Sequence, residues 1–377
     1  MTRILRSSSG PALLTALLLP GLAPSVAAQQ AEWAAGAGVR FELYAFGAPE
    51  EVDLDRVTLL TVPLVMQAPL TRQLELRVAS TFARGTVTRA TGDESTLSGL
   101  TDTEVRLTLG LARDRLRLSA IGLLPTGKTD LTAEEMDVAG VIAADMLPFA
   151  ITNWGTGGGV GLSAAAALPF GEQTAFGLSA GYVVASEFEP VADTDFAYRP
   201  GDQLHLRAAV DRTIGSAGKV SLQLTYLRFS DDRSAGTNIY QAGDRLQAVG
   251  SYAFAAGGTA NGIVYAGYLR RQEGNYTVVT LVTPAQDLVF AGAGLRLPWR
   301  NLLLQPTLDL RVLGTEDGVG QGYTVSAGTG VEVPLGRALL VPNARARFGS
   351  LTVRSGQDSG LTGVELGLAV RSRGVLP

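Results

Sequence analysis

Cysteine is absent from this chain of 377 residues. That absence excludes disulfides, thiol catalysis, cysteine metal sites and a lipidated N-terminal cysteine. Histidine occurs once, as His205, and no group of residues indicates a metal site or a cofactor. A basic surplus is also lacking, since 31 lysines and arginines stand against 35 acidic residues. Nucleic-acid binding needs a basic footprint and is therefore not expected.

Long hydrophobic runs are missing as well. Beyond the N-terminus we find no apolar block of the roughly 20 residues that a membrane-spanning helix needs. Even so, 46% of the residues are hydrophobic and the mean hydropathy is +0.19. Charged residues make up 18% and are spread along the whole chain. A β-barrel mixes polar and apolar residues at period two, so it can be apolar on average without one long apolar run.

The N-terminus has the pattern of a secretory signal. Arg3 and Arg6 precede an apolar stretch over residues 11–23, and Val26 to Ala28 then supplies small residues before a cleavage point. The apolar stretch is too short to span a membrane as a helix with these flanks. We therefore predict a cleaved signal peptide over residues 1–28 and a single exported domain over residues 29–377.

Apolar and polar residues alternate from one end of that domain to the other. One example is the run from Leu204 to Asp211, in which Leu204, Leu206, Ala208 and Val210 alternate with His205, Arg207, Ala209 and Asp211. Period-two alternation predicts β-strands. We count about sixteen strands, with fourteen as the alternative. Both numbers are even, as single-chain bacterial barrels require.

Short and long connections alternate along this series. Short ones include residues 69–72 and 113–115, and the longest connection spans residues 126–158. Short turns at one end and long loops at the other are typical of outer-membrane barrels. The predicted fold is therefore an all-β transmembrane antiparallel barrel with its long loops outside the cell and one short helix in an extracellular loop.

In such a barrel the apolar face of each strand meets lipid and the charged face lines the lumen. The predicted pore-lining residues are Arg77, Arg106, Arg117, His205, Arg207, Asp309, Arg311, Arg345, Arg347 and Glu365. These side chains could form ion pairs between strands or select for anions. The near balance of signs favours ion pairs. The alternative for the charged face is the solvated outside of a soluble sheet.

The segment 126–158 breaks the strand pattern. Thr132 and Glu135 form a capping box, and Pro148 follows an apolar stretch, so we predict a helix over about residues 133–146. A long loop with apolar residues can fold inward and narrow a pore. The residues predicted to form such a constriction are Met136, Met146, Leu147 and Trp154.

Two motifs flank that segment. Leu124 to Lys128 (LPTGK) closes one strand, and Gly155 to Gly157 (GTG) opens the next. Over about residues 100–185 this arrangement resembles the outer-membrane family of the MetA pathway of phenol degradation, which is similar to the FadL-type channels. The resemblance implies passive uptake of small hydrophobic or aromatic molecules.

The sequence therefore predicts an outer-membrane channel or facilitator for small molecules in a Gram-negative-type cell. The expected partners are outer-membrane lipid and lipopolysaccharide, the barrel-assembly machinery and a small-molecule solute. One alternative is an outer-membrane hydrolase of phospholipase or protease type, in which His205 is the only available histidine base. The other is a structural barrel without transport. A lone histidine on a lumen face favours neither catalysis nor a metal site.

Overall fold

A computed structural model describes residues 32–144, 147–215, 218–257, 259–277, 279, 281–354 and 357–375. The predicted signal peptide and Met146 lie outside these residues. The segments in which apolar and polar residues alternate form long β-strands. The first eleven strands are β1 (Glu32–Phe46), β2 (Arg56–Pro69), β3 (Leu74–Thr88), β4 (Glu94–Leu100), β5 (Thr103–Leu111), β6 (Leu116–Leu124), β7 (Gly159–Phe170), β8 (Thr174–Ala185), β9 (Tyr198–Arg199), β10 (Gln203–Ile214) and β11 (Gly218–Phe229).

The second half of the chain continues the series. Its strands are β12 (Asp231–Ser234), β13 (Thr237–Gln241), β14 (Arg245–Ala255), β15 (Asn261–Arg271), β16 (Gly274–Tyr276), β17 (Val282–Thr283), β18 (Gln286–Trp299), β19 (Leu302–Thr315), β20 (Gly322–Leu335), β21 (Ala338–Arg354) and β22 (Gln357–Val375). The two helices within the described residues are α1 (Pro49–Val52) and α2 (Ala133–Ile142).

The long strands close into a barrel. Each pairs antiparallel with its neighbour in the chain, and β22 pairs with β1, for example Arg40 opposite Gly367. β4 pairs with residues 82–88 of β3, and β5 pairs with residues 74–79 of the same strand. The two therefore count as one interrupted strand. The barrel therefore has sixteen strands, which confirms the predicted fold class and excludes the alternative of fourteen.

The two faces of the wall differ as the alternation predicts. Leucines such as Leu178, Leu222 and Leu308 point outward and are more than half exposed. The opposite face is inside the barrel and carries most of the strand charges. The largest buried apolar cluster lies inside one end of the barrel, where α2 packs on the inner wall. An inside-out distribution of this kind places apolar side chains where a soluble protein would place polar ones.

The two ends of the barrel differ too. One end has tight turns, such as that between Phe170 and Thr174, and we call it the turn end. The other, the loop end, carries the connection over residues 125–158 and a second sheet of five short strands in the order β17, β16, β13, β12 and β9. Three long connections build this second sheet, so it extends the wall on one side of the loop end.

The predicted helix is present but shorter than expected. The capping box is formed, with Thr132 accepting from the Glu135 N–H and Glu135 accepting from the Thr132 N–H. α2 ends at Ile142, not near residue 146, and Ala143 is its C-cap. The single predicted helix was an undercount, since α1 adds one turn that begins at Pro49. Neither helix is long and apolar enough to cross a membrane.

Candidate functional site: the barrel lumen

The connection between β6 and β7, residues 125–158, folds into the barrel, and we call it the inward segment. A Cβ added to Gly85 on β3 would lie 2.4 Å from the Ile142 side chain of α2. The Ala150 N–H donates to Glu42 on β1 over 3.0 Å. Leu351 of β21 belongs to the same buried cluster. One segment can contact strands this far apart around the wall only from inside the barrel.

Trp154 fixes the inward segment to the wall. It is 2% exposed, and its indole N–H donates to the carbonyl of Ala83 over 3.1 Å. Gly85 leaves the space that the indole ring and Ile142 fill. Val138 of α2 is fully buried in the same place. Trp154, predicted as a constriction residue, therefore anchors the inward segment to β3.

Asp102 joins the two ends of the inward segment. One carboxylate oxygen accepts from the Gly127 N–H at 3.1 Å, and the other accepts from the N–H and hydroxyl of Thr156 at 2.7 and 2.8 Å. The Asp102 N–H in turn donates to the Trp154 carbonyl. The two motifs at 124–128 and 155–157 thus meet at one carboxylate, which lies where β4 gives way to β5.

A charged network on β1, β21 and β22 contacts the inward segment through Glu42. Glu42 and Glu365 are directly opposite each other on β1 and β22. Arg40 contacts both, at 2.8 and 3.1 Å, and Arg347 binds Glu365 at 2.7 Å. Arg347 also donates to the Tyr44 hydroxyl. Two arginines therefore hold together two buried carboxylates that would otherwise repel.

A gap lies beside α2 at the loop end. The gap is a cavity of about 320 Å³ between α2 and the far wall. Val141 and Leu147 line it on the near side, and Tyr240, Arg271 and Tyr276 line it on the far side. The two tyrosine rings lie 4.6 Å apart. The inward segment thus lies beside a cavity of mixed aromatic and polar lining at the loop end, and its role as a constriction stays a prediction.

Every predicted pore-lining residue lies on the inward face. Their strand register places them with the residues that contact the inward segment. The basic side chains on that face, among the described strand residues, are Arg40, Arg77, Arg106, Arg117, Arg207, Lys219, Arg245, Arg271, Arg296, Arg311, Arg345, Arg347 and Arg371. The acidic ones are Glu42, Glu75, Glu104, Asp211, Asp309, Glu332 and Glu365. Their role in lining a pore stays a prediction.

Among the described strand residues the inward face is therefore basic, with thirteen cations against seven anions, although the whole chain has a net charge of -4. This surplus is larger than the near balance of signs expected from the sequence, and the role of these side chains stays a prediction. Many of the acids pair with arginines, as Glu332 does with Arg296 at 3.1 Å and Asp309 does with Arg345 at 3.5 Å. Both ion pairing and a basic surplus are thus present on the same face.

His205 faces the lumen on β10. Its Nε2 lies 3.2 Å from Gln203 Oε1, and Arg106 and Arg207 are close enough to act on it electrostatically. An acid–histidine pair for general-base catalysis needs a carboxylate in contact with the ring. The contacts shown for His205 include none. In the part of the chain that the structure describes, no cluster of three or more potential ligands could hold a metal ion.

The contact between Lys128 and Glu135 in the first turn of α2 depends on pH. Partial burial raises the pKa of Glu135, but hydrogen bonds from Lys128 and Thr132 outweigh it and hold the pKa below its ordinary 4.5. A lowered pKa stabilises the folded state fully above the ordinary value, and this stabilisation is lost as the pH falls through the lowered pKa. Below pH 4.5 we therefore expect α2 to loosen.

Amide hydrogen exchange of α2 checks this expectation. Glu135→Gln should lower the protection factors of the α2 amides at neutral pH, and acidification should then lower them little further. Glu134→Gln is the matched control, because Glu134 is its exposed neighbour in the first turn. If both variants exchange alike at every pH, Glu135 does not hold the helix.

Sequence reasoning missed part of the lumen. Arg40, Glu42 and Tyr44 alternate with Phe41 and Leu43 in β1, so the period-two signal was available for them. No local signal marks Asp102, because its partners are 25 and 54 residues away along the chain. Of the predicted constriction residues, Leu147 is buried and lines the cavity, while Met136 is only partly buried.

Comparison with known proteins gives the following. No protein-family model matches the chain, and neither does any curated protein. A bacterial polysaccharide outer membrane secretin is 12% identical, covering 88% of this chain and 97% of its own, with a TM-score of 0.44. A loop-deletion mutant of OmpT, an outer membrane protein of Vibrio cholerae, is 13% identical, covering 92% and 100%, with a TM-score of 0.43.

A triple mutant of the Rhodopseudomonas blastica porin is 11% identical, covering 91% of this chain and 100% of its own, with a TM-score of 0.40. At that level of similarity none of these proteins informs the role of a residue here. The resemblance to the MetA-pathway and FadL-type families, which was based on the two motifs, stays a prediction.

Proposed function

We propose that this protein is an outer-membrane channel through which small molecules pass by diffusion. The observation that carries the proposal is the closed sixteen-strand wall, apolar outside and charged inside, with one segment folded into its loop end. A closed barrel satisfies every backbone hydrogen bond between neighbouring strands, which is what a bilayer demands of a spanning sheet. Charged groups on the inner face favour water in the lumen.

The proposed orientation puts the outward leucines in lipid. Leu224 lies near the middle of β11 and is 46% exposed. An arginine on the lipid face near the bilayer midplane destabilises a barrel by about 2–4 kcal/mol. We therefore expect Leu224→Arg to lower the yield of folded protein in phospholipid vesicles, measured by heat-modifiable migration on a gel.

The neighbouring residue supplies a matched control for that variant. Gln223 precedes Leu224 and lies on the inward face, opposite Ala209 and Val249. Gln223→Arg should fold as well as the wild type, because its guanidinium would enter a polar lumen. Equal folding of the two variants would mean that the outward face does not meet lipid.

Solute flux tests the function itself. Liposomes containing the folded protein should swell when diluted into isotonic solutions of small neutral sugars, and swelling should slow steeply as sugar size increases. The steep size dependence is expected because the inward segment leaves only a narrow opening at the loop end. Liposomes that contain folded barrel but do not swell with any sugar would contradict the proposal.

Small aromatic or otherwise apolar solutes are a more specific candidate. The cavity at the loop end favours them, since Tyr240 and Tyr276 face Val141 and Leu147 across it. Sites of about 300–1,000 Å³ with mixed apolar and polar lining commonly bind small molecules. A flux of phenol that exceeds both its flux into protein-free liposomes and the flux of a sugar of equal size, and that is reduced by Tyr240→Ala, would support this candidate.

A further inference from the structure

Two arginines in the lumen have no counter-ion among the residues that the structure describes. Arg117 on β6 and Arg207 on β10 are both exposed to the barrel interior. Neither has a hydrogen bond or an ion pair within the described part of the chain. Arg77 and Arg106 on the neighbouring strands differ, since they share Glu104 at 3.3 and 3.1 Å.

Strand register places these two arginines in one row. Arg207 is opposite Ser179 on β8, Ser179 is opposite Ala165 on β7, and Ala165 is opposite Arg117. We call these four residues the arginine row. Neighbouring strands lie about 4.8 Å apart, so the two arginine Cα atoms are about 14 Å apart along the wall. Their long side chains can approach the same solute from both sides.

The wall between the two arginines is nearly bare. β7 and β8 present small residues to the lumen there, namely Ser163, Ala165, Ser179 and Gly181. No large side chain covers this strip, and the serine hydroxyls can donate hydrogen bonds. Asp211, the acid two inward positions from Arg207 on β10, is already paired with Lys219 at 3.0 Å. The row is therefore a shallow trough with a guanidinium at each side.

We propose that the arginine row binds small carboxylates or phosphates in passage and makes the pore anion-selective. The proposal rests on the proposed channel function. Guanidinium groups recognise the planar oxygens of both anions through paired N–H donors. The row has no acid of its own, and the described strand residues of the inward face carry thirteen cations against seven anions. Rings of basic side chains select for anions in the same way in other pores.

Ion permeability in planar bilayers tests the proposal. Under a potassium chloride gradient, the reversal potential of the wild-type protein should show that chloride permeates better than potassium. Arg117→Gln combined with Arg207→Gln should lower the chloride-to-potassium permeability ratio about fivefold, from Coulomb's law at about 8 Å in water with salt screening. Folding of the variant is checked by heat-modifiable migration.

A matched control removes charge without changing the net charge. Asp211→Asn combined with Lys219→Gln deletes one anion and one cation from the same part of the wall, and the permeability ratio should stay at the wild-type value. Inorganic phosphate and acetate, each added to the chloride solution, should reduce the chloride current of the wild type more than that of the arginine variant. The probe that acts at the lower concentration identifies the preferred anion.

Each outcome has a meaning. A wild-type pore without preference for chloride, or an arginine variant with the wild-type ratio, overturns the anion-binding row but leaves the channel function standing. Folded, inserted protein that passes no current at all overturns the channel function and this inference with it.

Discussion

Deleting residues 132–147 is expected to raise the single-channel conductance of the protein several-fold. These residues include α2 and Leu147, which fill the loop end of the barrel between β3 and the cavity. Conductance rises with the open cross-section of a pore, and the lumen below this level is lined by small and charged side chains. Planar-bilayer recordings of the folded variant measure the change.

The matched control shortens a different part of the loop end. Deleting residues 234–237 trims the turn between β12 and β13 in the second sheet, which extends the wall and does not cross the lumen. Conductance should then stay at the wild-type level. If the deletion of α2 leaves the conductance of folded protein unchanged, the inward segment does not narrow the pore.

The second large effect is expected from Arg347→Ala. Its guanidinium is 5% exposed and binds Glu365 while also approaching Glu42 at 3.9 Å. Removing one partner of a buried ion pair commonly costs about 3–5 kcal/mol, since the remaining charge is left without compensation. Here two facing carboxylates would keep only Arg40 between them. The temperature at which the barrel loses its heat-modifiable form should fall markedly.

Two further variants show whether charge is the cause. Adding Glu365→Ala to Arg347→Ala removes the stranded carboxylate and should restore much of the lost stability. Arg117→Ala, which removes a lumen-exposed arginine with no described ion pair, should change stability by only about 0.5 kcal/mol or less. If Arg117→Ala and Arg347→Ala destabilise equally, the network around Glu42 does not support the barrel.

Local sequence pattern determined most of what could be predicted. Alternation at period two fixed the barrel and the inward position of residues such as Arg207 and Asp309, because neighbouring side chains on a strand must point to opposite faces. The capping box at Thr132 likewise located the start of α2, since it satisfies backbone N–H groups within one turn.

What could not be predicted depends on contacts between distant parts of the chain. Ile142 at the end of α2 packs on Gly85 of β3, and Asp102 joins the two ends of the inward segment. The second sheet forms from three connections, each too short in strand content to be recognised alone. The basic surplus of the lumen could be counted only after each strand residue had been assigned to the inward or outward face. Several of the inward arginines lie on strands where the alternation is weak.

Current through single molecules of the folded barrel tests the central claim most directly. Protein refolded in detergent and shown to be heat-modifiable is added to one side of a planar bilayer in potassium chloride. The proposed channel predicts stepwise increases in current, each of one size, as individual barrels insert. A bilayer that stays silent while recovered protein is shown to be inserted and folded would contradict it.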